Sequence, residues 1–412
     1  YNVHFLTGTD EHGLKIQRAS EENKMKPLEF CNKISKTFKN LCKILNLSNT
    51  DFIRTTEDRH KKSVQHLWKE LEKSGDIYLS KYTGWYSVSD EAFYNENEIE
   101  TKDGEKVSVN SGSRVEWVEE ESYFFKLSKW QDKLLDYYEK NPNFILPQSR
   151  KNEVVSFVKS GLRDLSVSRK SFSWGIKVPS NEEHVIYVWL DALTNYISAL
   201  KYPDISNELY NNFWPADVHI IGKDILRFHA IYWPAFLLAA KIPLPKRVYG
   251  HGWILSGEEK MSKSKGNILD PLEIIDNYGL DPLRYYLIKE VSFGNDGNIS
   301  KEKLEDCTNS DLANNYGNFC QRVTAFAEKN CDSKVPDSVE FNDQDKKILD
   351  NFSNNIKTLR TYIDDQKLNS YVDFILNVLF DANKYFNDQE PWNKKNDKKR
   401  LNTIIYTSLE LI

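Results

Sequence analysis

Three short apolar runs set the limits on how this chain folds. Residues 185–190 (VIYVWL), 218–221 (VHII) and 248–255 (VYGHGWIL) each have the length and β-branched content of a buried strand, and each leads into a loop and a helix start. Strand, loop and helix in that order belong to an open α/β sheet, in which ligands collect beyond the carboxyl ends of the strands. After the first run, Asp191 reads as the cap of a helix over 192–200. After the third, Asp270 reads as a cap, with Pro271 at the first helical position and Glu273 closing a capping box. Between that run and Asp270 lies Lys260-Met261-Ser262-Lys263-Ser264, with Gly257 before it and Gly266 after it. Two lysines and two hydroxyls just past a strand end suit phosphate oxygens, because an ammonium on a long stem can follow charge as it shifts between them. Taken alone, the same string is an ordinary solvated turn.

The chain has 412 residues, enough for two or three domains, and its 40% apolar and 28% charged content is that of a soluble globular protein. No apolar run approaches about 18 residues, so no membrane span is expected. A net charge of −5 argues against a surface that coats nucleic acid broadly, while local basic patches still decide contact. The five cysteines (Cys31, Cys42, Cys307, Cys320, Cys331) are scattered without a CxxC pair. That pattern predicts neither a zinc knuckle nor a disulfide scaffold, and points to a reducing compartment. The chain opens inside a strand-like run at Tyr1 and closes inside an amphipathic stretch at Ile412, and so reads as an internal portion of a longer protein.

Along the chain, 1–6 is strand-like and 7–13 (TGTDEHG) is the loop that follows, with a helical pattern from about Leu14. Asp10, Glu11 and His12 are adjacent, and three neighbouring side chains do not converge on a metal without further ligands. A loop carboxylate at a strand end can instead hold an ammonium group. Residues 14–75 are helical in period, with Leu67, Trp68 and Leu71 on an apolar face. From Tyr82 the texture changes to short alternating runs at 85–88 and 92–94, with an Asp103-Gly104 hairpin signal, closing near 121–125 as a small β-rich insertion. A helix over 130–138 follows. Gly222-Lys223-Asp224 sits between a strand and a helix, where backbone can approach a nucleotide closely. Ile225, His229 and Trp233 recur every four residues on one stripe of that helix, and Pro234 should kink it about one turn earlier. By spacing alone Trp189, Tyr196 and His229 are core residues. Residues 277–286 read as a helix end, a left-handed Gly279 and a new capped helix, and from Lys301 onward the pattern is helical throughout. Asn314, Asn318 and Arg322 share a face there; Trp392 packs or stacks; Lys394, Lys395, Lys398, Lys399 and Arg400 form a basic run suited to phosphate, or simply a solvated surface.

The segment 251–267, HGWILSGEEKMSKSKGN, resembles the second signature of class I aminoacyl-tRNA synthetases in the form carried by the methionyl-tRNA synthetase family. TGTDEHG (7–13), YVWLDALTNYI (187–197) and GKDILRFHAIYWPAF (222–236) resemble the same family's stretches. The resemblance implies a Rossmann-like parallel sheet interrupted by a small β-rich connective peptide and followed by an all-α anticodon-binding domain. The expected division is catalytic domain at 1–80 and 181–255, connective peptide at 81–180, signature loop and stem-contact region at 256–300, and helical domain at 301–412. It implies that Asp10 meets the amino group of methionine and that Trp189, Ala192, Leu193, Tyr196, Ile225, His229 and Trp233 surround its side chain. Gly222 and Asp224 would contact the ATP ribose. His251, Gly252, Trp253, Ile254, Lys260, Met261, Ser262, Lys263 and Ser264 would complete the ATP site, with Lys263, helped by Lys260, as the catalytic cation. Asn318, Arg322 and Trp392 would meet the anticodon.

The implied activity is methionine–tRNA ligation, with L-methionine, ATP as its Mg2+ complex and tRNA(Met) as partners. Positions where many relatives carry paired cysteines in the connective peptide have none here, so no structural zinc and no other metal site is expected. The insertion, about 100 residues, is too short for the editing domain of the isoleucine, valine and leucine enzymes. A monomer is expected, with a dimer left open, in bacterial cytoplasm or an organelle. One departure matters: the family's first signature, His-x-Gly-His, is absent, which would leave this chain by itself without half of its phosphate clamp. Two other classes share the features: a nucleotidyltransferase that never meets RNA, disfavoured by the helical C-terminal third, and a catalytically dead RNA-binding relative, disfavoured by the intact lysine loop.

Overall fold

A computed structural model describes the chain except residues 1, 91, 95, 103, 110, 257–258, 262–269 and 338–339. The protein is mixed α/β with parallel strand pairing and a helical C-terminal region, and it divides into two compact units, Tyr1–Gly250 and His251–Ile412. No described helix is long and apolar enough to cross a membrane.

In the first unit Leu6–Thr9 pairs in parallel with Asp51–Arg54. A Cβ on Gly8 would stand 2.0 Å from the Ile53 carbonyl oxygen, so only glycine lets these two strands close. Asp51–Arg54 lies inside the stretch read as helical from sequence; four residues between long helices are too few to interrupt a helical period. A second sheet sets Val248–His251 between His219–Gly222 and Ile145–Leu146, pairing in parallel with the latter. The β-rich insertion is built on Ile77–Ser87 and Glu116–Phe125, antiparallel over ten residue pairs, with a small Ile99–Lys102/Glu105–Ser108 hairpin turning at Gly104 (φ 83°).

The expected strand at 185–190 is corrected. The strand is Asn181–Ile186, antiparallel to its neighbours at Ser168–Arg169 and Lys177–Val178, and a helix takes over at Val188–Leu193. An apolar run without period cannot distinguish a buried strand from a buried helix turn, and here it is both in succession. Asp191 is therefore no cap; it is a buried carboxylate inside that helix. The run at 248–255 also breaks in two. A Cβ on Gly252 would lie 2.1 Å from the Asn295 carbonyl oxygen, and beyond it Ile254–Ser256 joins a separate sheet with Gly297–Asn298 and Glu259–Lys260.

In the second unit Asp270 does cap Pro271–Tyr278, accepting from the Leu272 N–H at 2.8 Å. Glu273 closes no box; it pairs with Lys301 at 2.8 Å. Gly279 has φ 90° but an extended ψ of 165°, not the left-handed helical conformation expected, and Leu280–Lys289 begins without a side-chain cap. Long helices at Asn318–Asn330, Asp343–Asp364, Leu368–Gln389 and Lys398–Glu410 pack around Phe319, Val323, Phe386 and Ile404.

Their most exacting contact is polar. The Asp345 carboxylate is fully buried and accepts from the Arg400 guanidinium at 2.5 and 2.9 Å, from the Tyr385 hydroxyl at 2.6 Å and from the Asn342 N–H at 2.9 Å. Those donors outweigh burial and hold the carboxyl below its ordinary value of 3.8, so its contribution is complete above that pH and lost as pH falls below it. Arg400→Ala should cost about 3–5 kcal/mol at neutral pH by leaving a buried charge unpaired. Urea unfolding followed by circular dichroism checks this, with a loss under about 1 kcal/mol counting against it.

Candidate active site

Pro234 decides the geometry of this region, because residue 234 has no N–H to give its helix. The segment before it widens into a π-turn over Phe228–Tyr232 and then continues as the Trp233–Ala239 helix. The His229 Nδ1–H donates to the Ile225 carbonyl at 3.0 Å, which leaves Nε2 to accept the Tyr196 hydroxyl at 2.7 Å. Burial pulls His229 down to about 4, so it stays neutral. Trp189 lies flat on Phe228 (3.8 Å, 7°) and edge-on to His229 at 6.4 Å, while Trp233 stands 6.3 Å from Tyr196. Ala192 and Leu193 are buried on the helix that carries Trp189. The stripe read from sequence at 225, 229 and 233 thus meets the aromatic pair at 189 and 196.

His219 belongs to the same set and was not singled out by sequence. It stacks on Tyr196 at 4.0 Å, and burial together with neighbouring His229 pulls it down to about 3. Its strand shows only an apolar run, in which a lone histidine carries no pattern.

The 7–13 loop is fixed from two sides. Glu11 is buried and paired with Arg54 at 2.7 and 2.9 Å; it also accepts from Thr9 at 2.8 Å and from Thr56. The Nδ1 of His12 meets Asp191 Oδ2 at 2.7 Å; the other oxygen, Oδ1, meets His60 Nε2 at 2.7 Å, and His60 Nδ1 reaches Ser198 Oγ at 2.9 Å. Burial would raise Asp191, but the two imidazoles prevail and hold it at about 2. Glu11 and His12 are thus bonded to other segments and tie the loop down. His60, 131 residues from Asp191, left no trace in the sequence pattern.

Asp10 lines a cavity of about 290 Å³ with Thr9, Phe30, Cys31 and Phe38. Its side chain is exposed yet surrounded densely by protein, and desolvation, followed by the charge of Asp191, raises it to about 6. Its charge also helps raise the Tyr196 phenol, after burial, so the carboxylate lies within electrostatic reach of the aromatic set. Among the described residues no group of three or more His, Cys, Asp or Glu side chains could hold a metal ion.

Nucleotide candidates fall in both units. In the first, a Cβ on Gly222 would come 2.6 Å from Asp224 Oδ1, so the glycine lets that carboxylate fold back over the strand end. In the second, the His251 ring stacks on Phe293 (6.3 Å, 19°), the Trp253 N–H donates to Asp296 Oδ1 at 2.8 Å, and Ile254 pairs with Gly297. Lys260 lies in a short strand opposite Leu255, and Met261 follows, half-buried. Ser262, Lys263 and Ser264 fall outside the described residues.

In the helical unit the Arg322 guanidinium stands 5.4 Å over the Phe386 ring and donates to Asn387 Oδ1 at 2.6 Å. Trp392 meets the same ring edge-on at 6.3 Å and remains 42% exposed, and Asn318 is exposed one turn before Arg322. The basic run is smaller than its sequence: Arg400 is spent on Asp345, and Lys398 donates to the Asn330 carbonyl at 2.6 Å.

Residues 1–324 match the family described as tRNA synthetases class I (M). The methionine–tRNA ligases of Brucella suis and Rickettsia felis are 52% and 51% identical over all of this chain, which spans 80% of each. Mycobacterium tuberculosis methionyl-tRNA synthetase in complex with methionyl-adenylate has the same fold, with a TM-score of 0.97 at 46% identity, covering 100% of this chain and 82% of that one. The free form of that enzyme gives a TM-score of 0.88 at 39% identity, covering 99% and 87%. The chain belongs to the class I (M) tRNA synthetases.

Proposed function

We propose that the chain is a methionine–tRNA ligase, which activates L-methionine with ATP to methionyl-adenylate and pyrophosphate and then transfers methionyl to tRNA(Met). The observation that carries this reading is the neutral cage of Tyr196, His229, Trp189 and Trp233 beside the Asp10 carboxylate. A thioether needs uncharged, polarisable walls, and sulfur against aromatic rings gains about 0.3–1.5 kcal/mol. An α-ammonium group needs a carboxylate. Both conditions are met within one region.

The substrate carboxylate is the nucleophile, so the protein supplies alignment and charge stabilisation. Asp10 holds the amino group while Ala192, Leu193 and Ile225 bound the cage. Gly222 and Asp224 take the ribose, and residues 251–254 with Lys260, Met261, Ser262, Lys263 and Ser264 take the remainder of ATP, which enters as its Mg2+ complex. Lys263, aided by Lys260, balances charge on the phosphates as pyrophosphate leaves. Asn318, Arg322 and Trp392 read the anticodon, with the exposed indole available to stack on a base. The protein acts as a monomer in the bacterial cytoplasm.

Methionine-dependent ATP–pyrophosphate exchange in the full-length protein tests the reading. Lys263→Ala should lower exchange by about 100- to 1,000-fold, as loss of a transition-state donor does; activity within tenfold of the parent would remove the role. His229→Ala and Trp233→Ala should raise the KM for methionine and leave that for ATP much less changed, whereas a parallel rise in both would make these residues structural. Since an ammonium binds the ionised carboxylate, methionine affinity should hold above pH 7 and fall as pH drops below about 6, the value to which Asp10 is raised. His229, at about 4, does not titrate in that window. Asp10→Asn should bind weakly and give a flat profile, and an unchanged slope in that variant would assign the titration elsewhere.

A further inference from the structure

Within an α-helix the Ala230 carbonyl would accept from the N–H of residue 234, and residue 234 is proline. Ala230 is fully buried, so that oxygen has no bulk water to turn to. The Tyr138 hydroxyl reaches it from the Gln131–Lys140 helix, 92 residues away in sequence, and donates at 2.6 Å. The Tyr138 ring is buried and lies nearly parallel to Phe144 (5.9 Å, 11°), which fixes where its hydroxyl points. Burial also pushes the phenol well above its usual range, so it remains a donor at any working pH.

Ala230 is the residue after His229 and sits at the centre of the Phe228–Tyr232 turn. The direction of its carbonyl fixes the peptide plane on which the wide turn depends. That turn presents His229, bonded to Ile225 and Tyr196, and delivers Trp233 at the first position of the next helix. We propose that Tyr138 is a positioning residue of the methionine site: its hydroxyl replaces the donor that Pro234 lacks and so holds the π-turn that aims His229 and Trp233. The proposal rests on the reading of that cage as the methionine pocket.

Tyr138→Phe keeps the ring and removes only the donor. Methionine binding, followed by intrinsic tryptophan fluorescence, and exchange kinetics in the full-length protein then separate the possibilities. The variant should bind methionine about tenfold more weakly, because a turn without that donor holds His229 and Trp233 in the binding geometry for only about a tenth of the time, with the KM for ATP within about twofold and kcat at saturating methionine little changed. Pro234→Ala restores an N–H at position 234. Whatever that change does by itself, adding Tyr138→Phe to it should shift methionine affinity by less than about twofold, because the backbone now supplies the bond. The proposal is overturned if Tyr138→Phe binds methionine within twofold of the parent, even with a lowered Tm. It is equally overturned if methionine and ATP affinities fall together, or if the substitution costs the same in both backgrounds. A parent that fails to bind methionine would overturn the functional reading and this proposal with it; a parent that binds normally beside an unaffected variant overturns this proposal alone.

Discussion

A single carboxylate, that of Asp191, joins the parts of the first unit that matter for chemistry. It sits between the imidazoles of His12 and His60 with both bonds at 2.7 Å. Through them it connects the 7–13 loop, the Asp58–Lys73 helix and the Val188–Leu193 helix, three segments that no local propensity would bring together. Trp189 stands two residues before it and Ala192 directly after it, and two residues before His12 is Asp10. A buried anion without these partners would be costly. With them, it fixes the spacing between a carboxylate suited to an amine and a cage suited to a side chain.

The region also separates charge from neutrality over a short distance. His219 and His229 are both held far below the usual histidine value by burial, so the aromatic set carries no charge at working pH. Asp10 faces a cavity, and desolvation followed by the charge of Asp191 raises its carboxyl to about 6. This division suits an amino acid with an apolar side chain and a charged head. The wide turn before Pro234 is the backbone device that presents His229 and Trp233 to that set.

Much of this was legible in the sequence. The periodicity at 225, 229 and 233 was readable because a helix repeats, and Pro234 marked an interruption of the regular helix, found as a π-turn, because a missing N–H is a chemical fact. The Asp270 cap was readable for the same reason. What the sequence hid were contacts without a period. Asp191 looked like a helix cap since a carboxylate after an apolar run usually is one, and only the folded chain shows two histidines reaching it. Asp51–Arg54 was too short to interrupt a helical pattern, and the strand at 185–190 turned helical midway because both states bury the same side chains. Gly252 looked like part of a strand until the main chain at 295–296 was seen to pass 2.1 Å from where its side chain would be. The roles given to Lys263, Ser262 and Ser264 rest on resemblance and family membership alone.

The ion pair in the helical unit has a bearing on how the protein is made. Asp345 and Arg400 stand 55 residues apart, and the carboxylate is satisfied only when both the Tyr385 hydroxyl and the guanidinium have arrived. On the ribosome, domains tend to fold as units as they emerge. A nascent chain that has released 343–364 but not residue 400 would hold a buried-type carboxylate with nothing to bury it against. The packing around Asp345 therefore has to wait until Arg400 has left the exit tunnel.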